Sequence, residues 1–385
     1  MVVGVNTRPI VKSAKALGLR TIAVDCFGDV DLAAHADALF SVRPLGGPLK
    51  EFRRPSLFEL SLKALEAHEV DAILLSSGME HYPERVEELK RRAEVIGNDM
   101  ARLRICEDKL KLFRVASKLG IQCPRTERVQ NLSGALRAAE RIGYPVVLKP
   151  AFGGGGIGIR LVESPEGLER GFKQALRAGD GKTAYVQEFI EGIDASASVL
   201  SNGDEARCLT INEQIIGDRR LGSPRRFGYC GNVIPLTAER GLQAGVAECA
   251  EALCSELGLV GSNGVDFVLA PKPYLMEVNP RFQNTLDCVE GLLGINLVEE
   301  HLRACGGELR RYREPRGYSA KLILYAKADV KVPDLRGFGD LVDIPQEGSI
   351  VRKGKPLCSV LKFGGVRRSL VEGAYEAANK VYGLF

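Results

Sequence analysis

Short apolar runs alternate with amphipathic stretches through the first hundred residues. "MVVGV", "RTIAVD", "DAILLS" and "EVIG" are compact and rich in β-branched residues, the pattern of buried strands. Between them, "RPIVKSAKALG", closed by Gly18, "PSLFELSLKALEAHEV" and "PERVEELKRRA" repeat apolar positions with helical spacing. Strand–helix–strand alternation predicts parallel pairing with right-handed crossovers, hence a doubly wound α/β domain.

Near residue 100 the pattern changes. "CEDKLKLFRVASKLGIQCPRT" predicts a helix stopped by Gly120 and Pro124. "NLSGALRAAERIG" then reads as a helix, "PVVLKP" and "GIRLV" as strands, and "SPEGLERGFKQALRAG" as a helix with Ser164 as its cap and Pro165 at its first position. "TAYVQEFI", "ASASVLS", "ARCLTINEQII", "VDFVLA" and "YLMEVN" are further strands around the long helical "AERGLQAGVAECAEALCSELG". From about 317 the chain is β-rich again and closes on the helix "SLVEGAYEAANKVYG". The expected division is therefore 1–100, 101–315 with a smaller unit over about 120–195, and a β-rich 316–385.

Composition narrows the function classes. Apolar residues are 45% and charged residues 26% of 385, an ordinary globular balance. A net charge of +4 gives no reason to expect nucleic acid or an anionic membrane as partner. No apolar run approaches the length of a membrane span, and "MVVGVNTRP" does not read as a signal peptide. The ten cysteines are scattered without a C-x-x-C pair, and the four histidines do not cluster with them. That argues against zinc and for reduced, packed thiols in a cytoplasmic protein.

The candidate chemistry starts at "VVLKPAFGGGGIGIR". Gly153, Gly155 and Gly158 satisfy G-x-G-x-x-G, but a dinucleotide fingerprint needs a helix directly after the glycines. Here a strand follows, and no G-K-[ST] is present. The loop therefore joins two strands, as a flap whose bare N–H groups can close over phosphate oxygens, with Lys149 just before it. Asp25, ending the second strand, stands where dinucleotide folds place a ribose-binding acid, yet the first turn "GVNTRP" has one glycine where three are needed. The N-terminal domain is thus expected to be Rossmann-like in shape, without a dinucleotide. Further on, "VDFVLAPKPYLMEVNPRF" predicts a hairpin that brings Asp266 near Glu277 and Asn279, which share one face. Hard oxygen ligands in that number suit Mg²⁺ beside phosphate. Arg281 extends the row and would stabilise an anionic intermediate.

Together, "DKLKLF", "VVLKP" with "GGGGIGI", "VQEFIEGIDAS", "VDFVL" and "EVNPRF" resemble, in order and spacing, the ATP-grasp superfamily, and within it the carboligase-like branch related to biotin carboxylase. The resemblance implies a Rossmann-like N-terminal domain, an ATP-grasp fold of two α+β subdomains gripping ATP, and a small β-rich C-terminal domain. It also implies roles. Lys109 and Lys149 would hold the α- and β-phosphates, and Gly153, Gly154, Gly155, Gly156 and Gly158 would form the lid. The backbone of Glu188 and Ile190, with Phe189 between them, would meet adenine, and Asp194 the ribose. Asp266, Glu277 and Asn279 would bind two Mg²⁺ ions, with Mn²⁺ as an alternative, and Arg281 would serve the reacting centre.

The implied reaction activates a carboxylate as an acylphosphate and passes it to an amine, both small molecules, in a protein that could pair as a homodimer. Two other readings stand beside it: a carboxylase using bicarbonate, and a nucleotide-binding regulator without catalysis. "EVNPRFQNTLD" lacks the histidine-bearing continuation of biotin carboxylases, and no biotin-accepting A-M-K-M segment occurs. Arg219, Arg220, Arg225 and Arg226 lie in a loop suited to γ-phosphate or an acidic substrate.

Overall fold

A computed structural model describes residues 1–42 and 55–385. The N-terminal strands pair in parallel, in the spatial order Ala38–Ser41, Ile22–Asp25, Val2–Val3, Ala72–Leu75, Glu94–Val95. Chain order reverses beside the central Val2–Val3 strand. In open parallel sheets such a reversal leaves a crevice at the carboxyl ends of the strands. The edge strand Ala38–Ser41 escapes the sequence reading, since "ALFS" is too short for a two-residue alternation to register. Asp25 is 1% exposed and its carboxylate accepts from the Thr7 N–H and hydroxyl and the Phe27 and Gly28 amides. It fastens the first two turns and offers nothing to a ribose.

The segment around Lys109 is two helices rather than one. Met100–Glu107 ends at Asp108, whose side chain accepts from the Leu110 and Lys111 amides and starts Lys109–Lys118 afresh. Lys109 is thereby the first residue of a helix. Four antiparallel strands follow, ordered Thr126–Val129, Ala184–Glu188, Val146–Pro150, Arg160–Val162. Helices Leu132–Ile142 and Leu168–Ala178 cover one face through Ala135, Ala138, Ala139, Phe172 and Ala175. Ser164 makes no cap hydrogen bond: Pro165–Gly167 winds as a 3₁₀ turn and the α-helix starts at Leu168.

The largest sheet has eight strands: Pro273–Asn279, Val260–Leu269, Ile193–Asn202, Ala206–Ile216, Tyr229–Ile234, Tyr318–Tyr325, Pro356–Gly364 and Leu341–Val342, all antiparallel. Strand Tyr229–Ile234 pairs directly with Tyr318–Tyr325, so ladder hydrogen bonds run across residue 316. Two helices bury their apolar stripes on this sheet. Arg240–Glu256 uses Val246, Ala250, Leu253 and Cys254, and Arg367–Tyr382 uses Leu370, Ala374, Ala378 and Val381. Truncating a fully buried leucine such as Leu253 to alanine would cost about 2–5 kcal/mol. All ten cysteines are unpaired thiols. Among the described residues, no helix is long and apolar enough to cross a membrane.

Candidate active site

The three larger sheets meet around a cleft of about 1140 Å³. One wall is the hairpin Val146–Pro150/Arg160–Val162, which pairs Val146 with Val162 and Leu148 with Arg160, leaving the glycines as the tip between two antiparallel strands. No helix follows the glycines directly, so the local geometry is that of a flap. Gly153, Gly154, Gly155 and Gly156 all line the cleft, and Gly158 lies buried beneath it. Gly155 and Gly156 have φ of +61° and +73°, a region side chains disfavour. Gly156 packs against the Phe227 carbonyl so closely that a Cβ there would overlap it.

The floor is the eight-stranded sheet. Asp266 and Glu277 are direct cross-strand partners. Asp266 accepts from Asn279 Nδ2 at 3.1 Å and from Gln214 Nε2 at 3.2 Å. Lys109 Nζ reaches Glu277 Oε2 at 3.4 Å. Burial, reinforced by Glu277, pushes the Asp266 carboxyl well above the ordinary range. Burial acts on Glu277 in the same sense, but the Lys109 and Lys149 ammoniums outweigh it and hold Glu277 below its usual value. The two carboxylates face each other across the strand pair. With the Asn279 amide they form an oxygen set that fits a hard divalent cation. Lys149 lies at the strand end, where burial and then the like charge of Lys109 lower its ammonium to about 8. Asp194 lines the cleft beyond it, its carboxyl raised by burial and drawn back by Lys149.

The expected hinge segment is only partly available. The Glu188 N–H donates to Arg125 O at 2.8 Å and its carboxylate is clamped by the Arg125 guanidinium at 3.1 and 3.2 Å. Glu188 can therefore offer no more than its carbonyl. Phe189 and Ile190 line the cleft, with the Arg226 guanidinium 5.9 Å above the Phe189 ring.

Arg281 leaves the strand after Pro280 and crosses to the N-terminal domain. Its Nε donates to Glu80 Oε1 at 2.9 Å and its Nη2 to Asn279 Oδ1 at 2.9 Å. Burial opposes ionisation of Glu80, yet Arg281 and His81 hold its carboxyl below normal. Sequence reasoning missed Glu80, although it follows the strand Ala72–Leu75 at the sheet's carboxyl edge, where ligand-facing residues gather. Gln214 was also missed; "NEQII" alternates as any strand does. In the arginine loop, Arg220 is spent on Asp218 at 2.7 Å and on the Tyr375 ring at 4.0 Å. Arg219, Arg225 and Arg226 line the cleft and have no carboxylate partner among the described residues.

Residues 106–285, which carry the lysines, flap, hinge, carboxylates and Arg281, match the ATP-grasp domain family. The chain carries an ATP-grasp domain. An uncharacterized protein of Methanocaldococcus jannaschii is 27% identical over 381 residues, covering 98% of this chain and 91% of its own. The carbamoyl phosphate synthase large chain of Thermotoga maritima is 27% identical over 209 residues, 54% of this chain and 19% of that one. The ATP-grasp chain thus spans about a fifth of the length of that synthase. The ATP-analogue complex of biotin carboxylase from Campylobacter jejuni superposes with a TM-score of 0.76 at 18% identity, over 97% of this chain and 88% of that one. The fold is therefore similar to that of biotin carboxylase over nearly the whole chain.

Proposed function

We propose that this protein is an ATP- and Mg²⁺-dependent ligase that activates a carboxylate as its acylphosphate and transfers the acyl group to an amine. In this reading residues 1–100 precede the ATP-grasp domain at 101–315, which includes the flap unit at about 120–195, and residues 316–385 complete the C-terminal part. The observation that carries the proposal is the convergence, in one cleft, of Lys109, Lys149, Asp266, Glu277, Asn279 and Arg281 beneath a glycine flap. A purely regulatory nucleotide site has no use for an arginine held by a buried carboxylate on a second domain.

Lys109 and Lys149 pair with the α- and β-phosphates, and the flap amides from Gly153 to Gly158 close over them. Phe189, Ile190 and the Glu188 carbonyl flank adenine, while Asp194 accepts from the ribose hydroxyls. Asp266, Glu277 and Asn279 would hold Mg²⁺, two ions in this proposal, which neutralises charge on the phosphates. With Glu277 given over to the ion, Lys109 would be free to pair with phosphate. A carboxylate oxygen of the substrate attacks the γ-phosphorus as the bond to ADP breaks. The amine nitrogen then attacks the acyl carbon, phosphate departs, and the amine proton leaves to solvent. Arg281, fixed by Glu80 and Asn279, stabilises the oxyanion that forms between these steps. No side chain acts as nucleophile; positioning and charge do the catalysis.

The test is ADP release against pooled carboxylic acids, with and without pooled amines, and with bicarbonate alone in a separate arm. Amine-dependent turnover supports the ligase. Turnover that needs only bicarbonate makes the protein a carboxylase, and nucleotide binding with no ADP release in any arm makes it a regulator.

A further inference from the structure

The cleft continues past the metal carboxylates toward the carboxyl edge of the parallel sheet, where Asn6, Asp29, Ser77 and Asp343 line it. Five carboxylates crowd this end against two buried cations. Arg8 binds Asp287 at 2.9 and 2.5 Å and Asp343 at 2.8 Å, and Lys321 lies 3.3 Å from Asp287 and 3.4 Å from Asp343. Asp31 accepts the Asp343 and Ile344 amides, both at 2.9 Å, and Asp25 is saturated by four donors. Asp29 differs from all of them. It is 6% exposed, lines the cleft, and its carboxylate accepts no hydrogen bond from any described residue. Burial, and then the neighbouring carboxylates of Asp25, Asp343 and Asp31, push its carboxyl well above the ordinary range against the already committed Arg8, so an added cation would be met with little competition.

A second buried group lacks a partner in the same cleft. Asn232 is 1% exposed; its Oδ1 accepts from the Tyr229 hydroxyl, but its Nδ2 has no acceptor among the described residues. Asn232 is the cross-strand partner of Gln214 on one side and of Lys321 on the other. Gln214 holds Asp266 and Lys321 holds Asp343, so a polar row runs across the sheet from the metal carboxylates to the acidic end. A buried carboxylate and a buried amide, each without a partner, are costly unless a ligand completes them.

We infer that this end of the cleft binds a primary ammonium group of the substrate at Asp29, with Asn232 Nδ2 donating to an oxygen of the same molecule. The substrate class is an amino acid or related amino-carboxylic compound whose ammonium lies at Asp29 and whose reacting end lies toward Arg281. The assignment of a reacting end rests on the ligase reading; the ammonium site itself does not.

The experiment is calorimetric binding with Mg²⁺ and a non-hydrolysable ATP analogue present. L-ornithine and 5-aminopentanoate are compared with pentanoate, which has the same carbon chain as 5-aminopentanoate and no ammonium. Wild type should bind the two ammonium compounds at least tenfold more tightly than pentanoate, and Asp29→Asn should erase that ratio. Asp29→Asn replaces an unpaired buried carboxyl with a group of the same shape and should melt no lower than wild type, which separates lost binding from lost fold. Equal affinity for pentanoate, no binding of either ammonium compound, or a ratio unchanged in Asp29→Asn would each overturn the inference. Ammonium binding that depends on Asp29, with no ADP release in any arm, counts against the ligase reading alone.

Discussion

Three adjacent glycines in the flap meet different surroundings, and alanine at each separates backbone strain from contact. Gly154 has an ordinary φ and open space around it, so Gly154→Ala should change nucleotide affinity less than about twofold. Gly155 also faces open space but has φ +61°, so Gly155→Ala carries strain alone. That is roughly 1 kcal/mol, or about fivefold in the population of the seated flap. Gly156 combines φ +73° with a Cβ that would lie 2.5 Å from the Phe227 carbonyl carbon and nearer still to its oxygen. The Phe227 loop cannot recede easily, because Gly217 N–H donates to Gly228 O at 2.7 Å and Gly228 N–H to Arg225 O at 3.2 Å. The flap must therefore lift by on the order of 1 Å, a displacement that can cost about 100-fold in a positioned site. The assay is the Kd for a non-hydrolysable ATP analogue with Mg²⁺, together with hydrogen exchange over residues 153–158. Weakening should rise in the order Gly154→Ala, Gly155→Ala, Gly156→Ala, with melting temperatures nearly unchanged in the first two, whose glycines are exposed. A Gly156→Ala protein that binds like Gly154→Ala would refute the seating of the flap on Phe227.

Glu277→Gln should lower Mg²⁺-dependent ADP release by on the order of 100-fold while unfolding stays cooperative, and undiminished release would remove Glu277 from the metal set. Burial and the Lys109 charge lower the Lys149 ammonium to about 8, so a neutral form is expected to be present near that pH. Phosphates should re-protonate it, and ATP binding near pH 8.5 should take up a proton, seen as binding enthalpies that differ between buffers of different ionisation heat; identical enthalpies would exclude this. The sign for stability follows from the same group. Its folded value is lowered from 10.5 to about 8, so the unfolded chain binds the extra proton and the Lys149 contribution to stability rises with pH across that window. Arg8→Met leaves the buried Asp287 and Asp343 carboxylates to share Lys321 and should cost about 3–5 kcal/mol in chemical denaturation, whereas a loss below about 1 kcal/mol would mean that Lys321 suffices for both.

What the sequence makes legible here is whatever lies in local period. The strand after the glycines marks a flap, and the two-residue spacing of Glu277 and Asn279 puts them on one face, where the structure has them with Asp266. What it hides are pairings between distant segments and the burial state of a charge. Nothing near Arg281 signals a carboxylate 201 residues earlier, and nothing in "DVDLA" distinguishes the buried Asp29 from a solvated acid. The break at Asp108 is similarly silent, because "EDK" is as compatible with a continuous helix as with a cap until tertiary packing turns the chain. The hidden contacts are the ones that join domains. Arg281 ties the end of the Pro273–Asn279 strand to Glu80, and Arg8 and Lys321 tie Asp287 to Asp343, so the parallel sheet, the ATP-grasp strands and the C-terminal strands share charged anchors along one cleft. A substrate ammonium at Asp29 would complete the charge of that shared cluster, which would give the N-terminal domain a part in choosing what is activated.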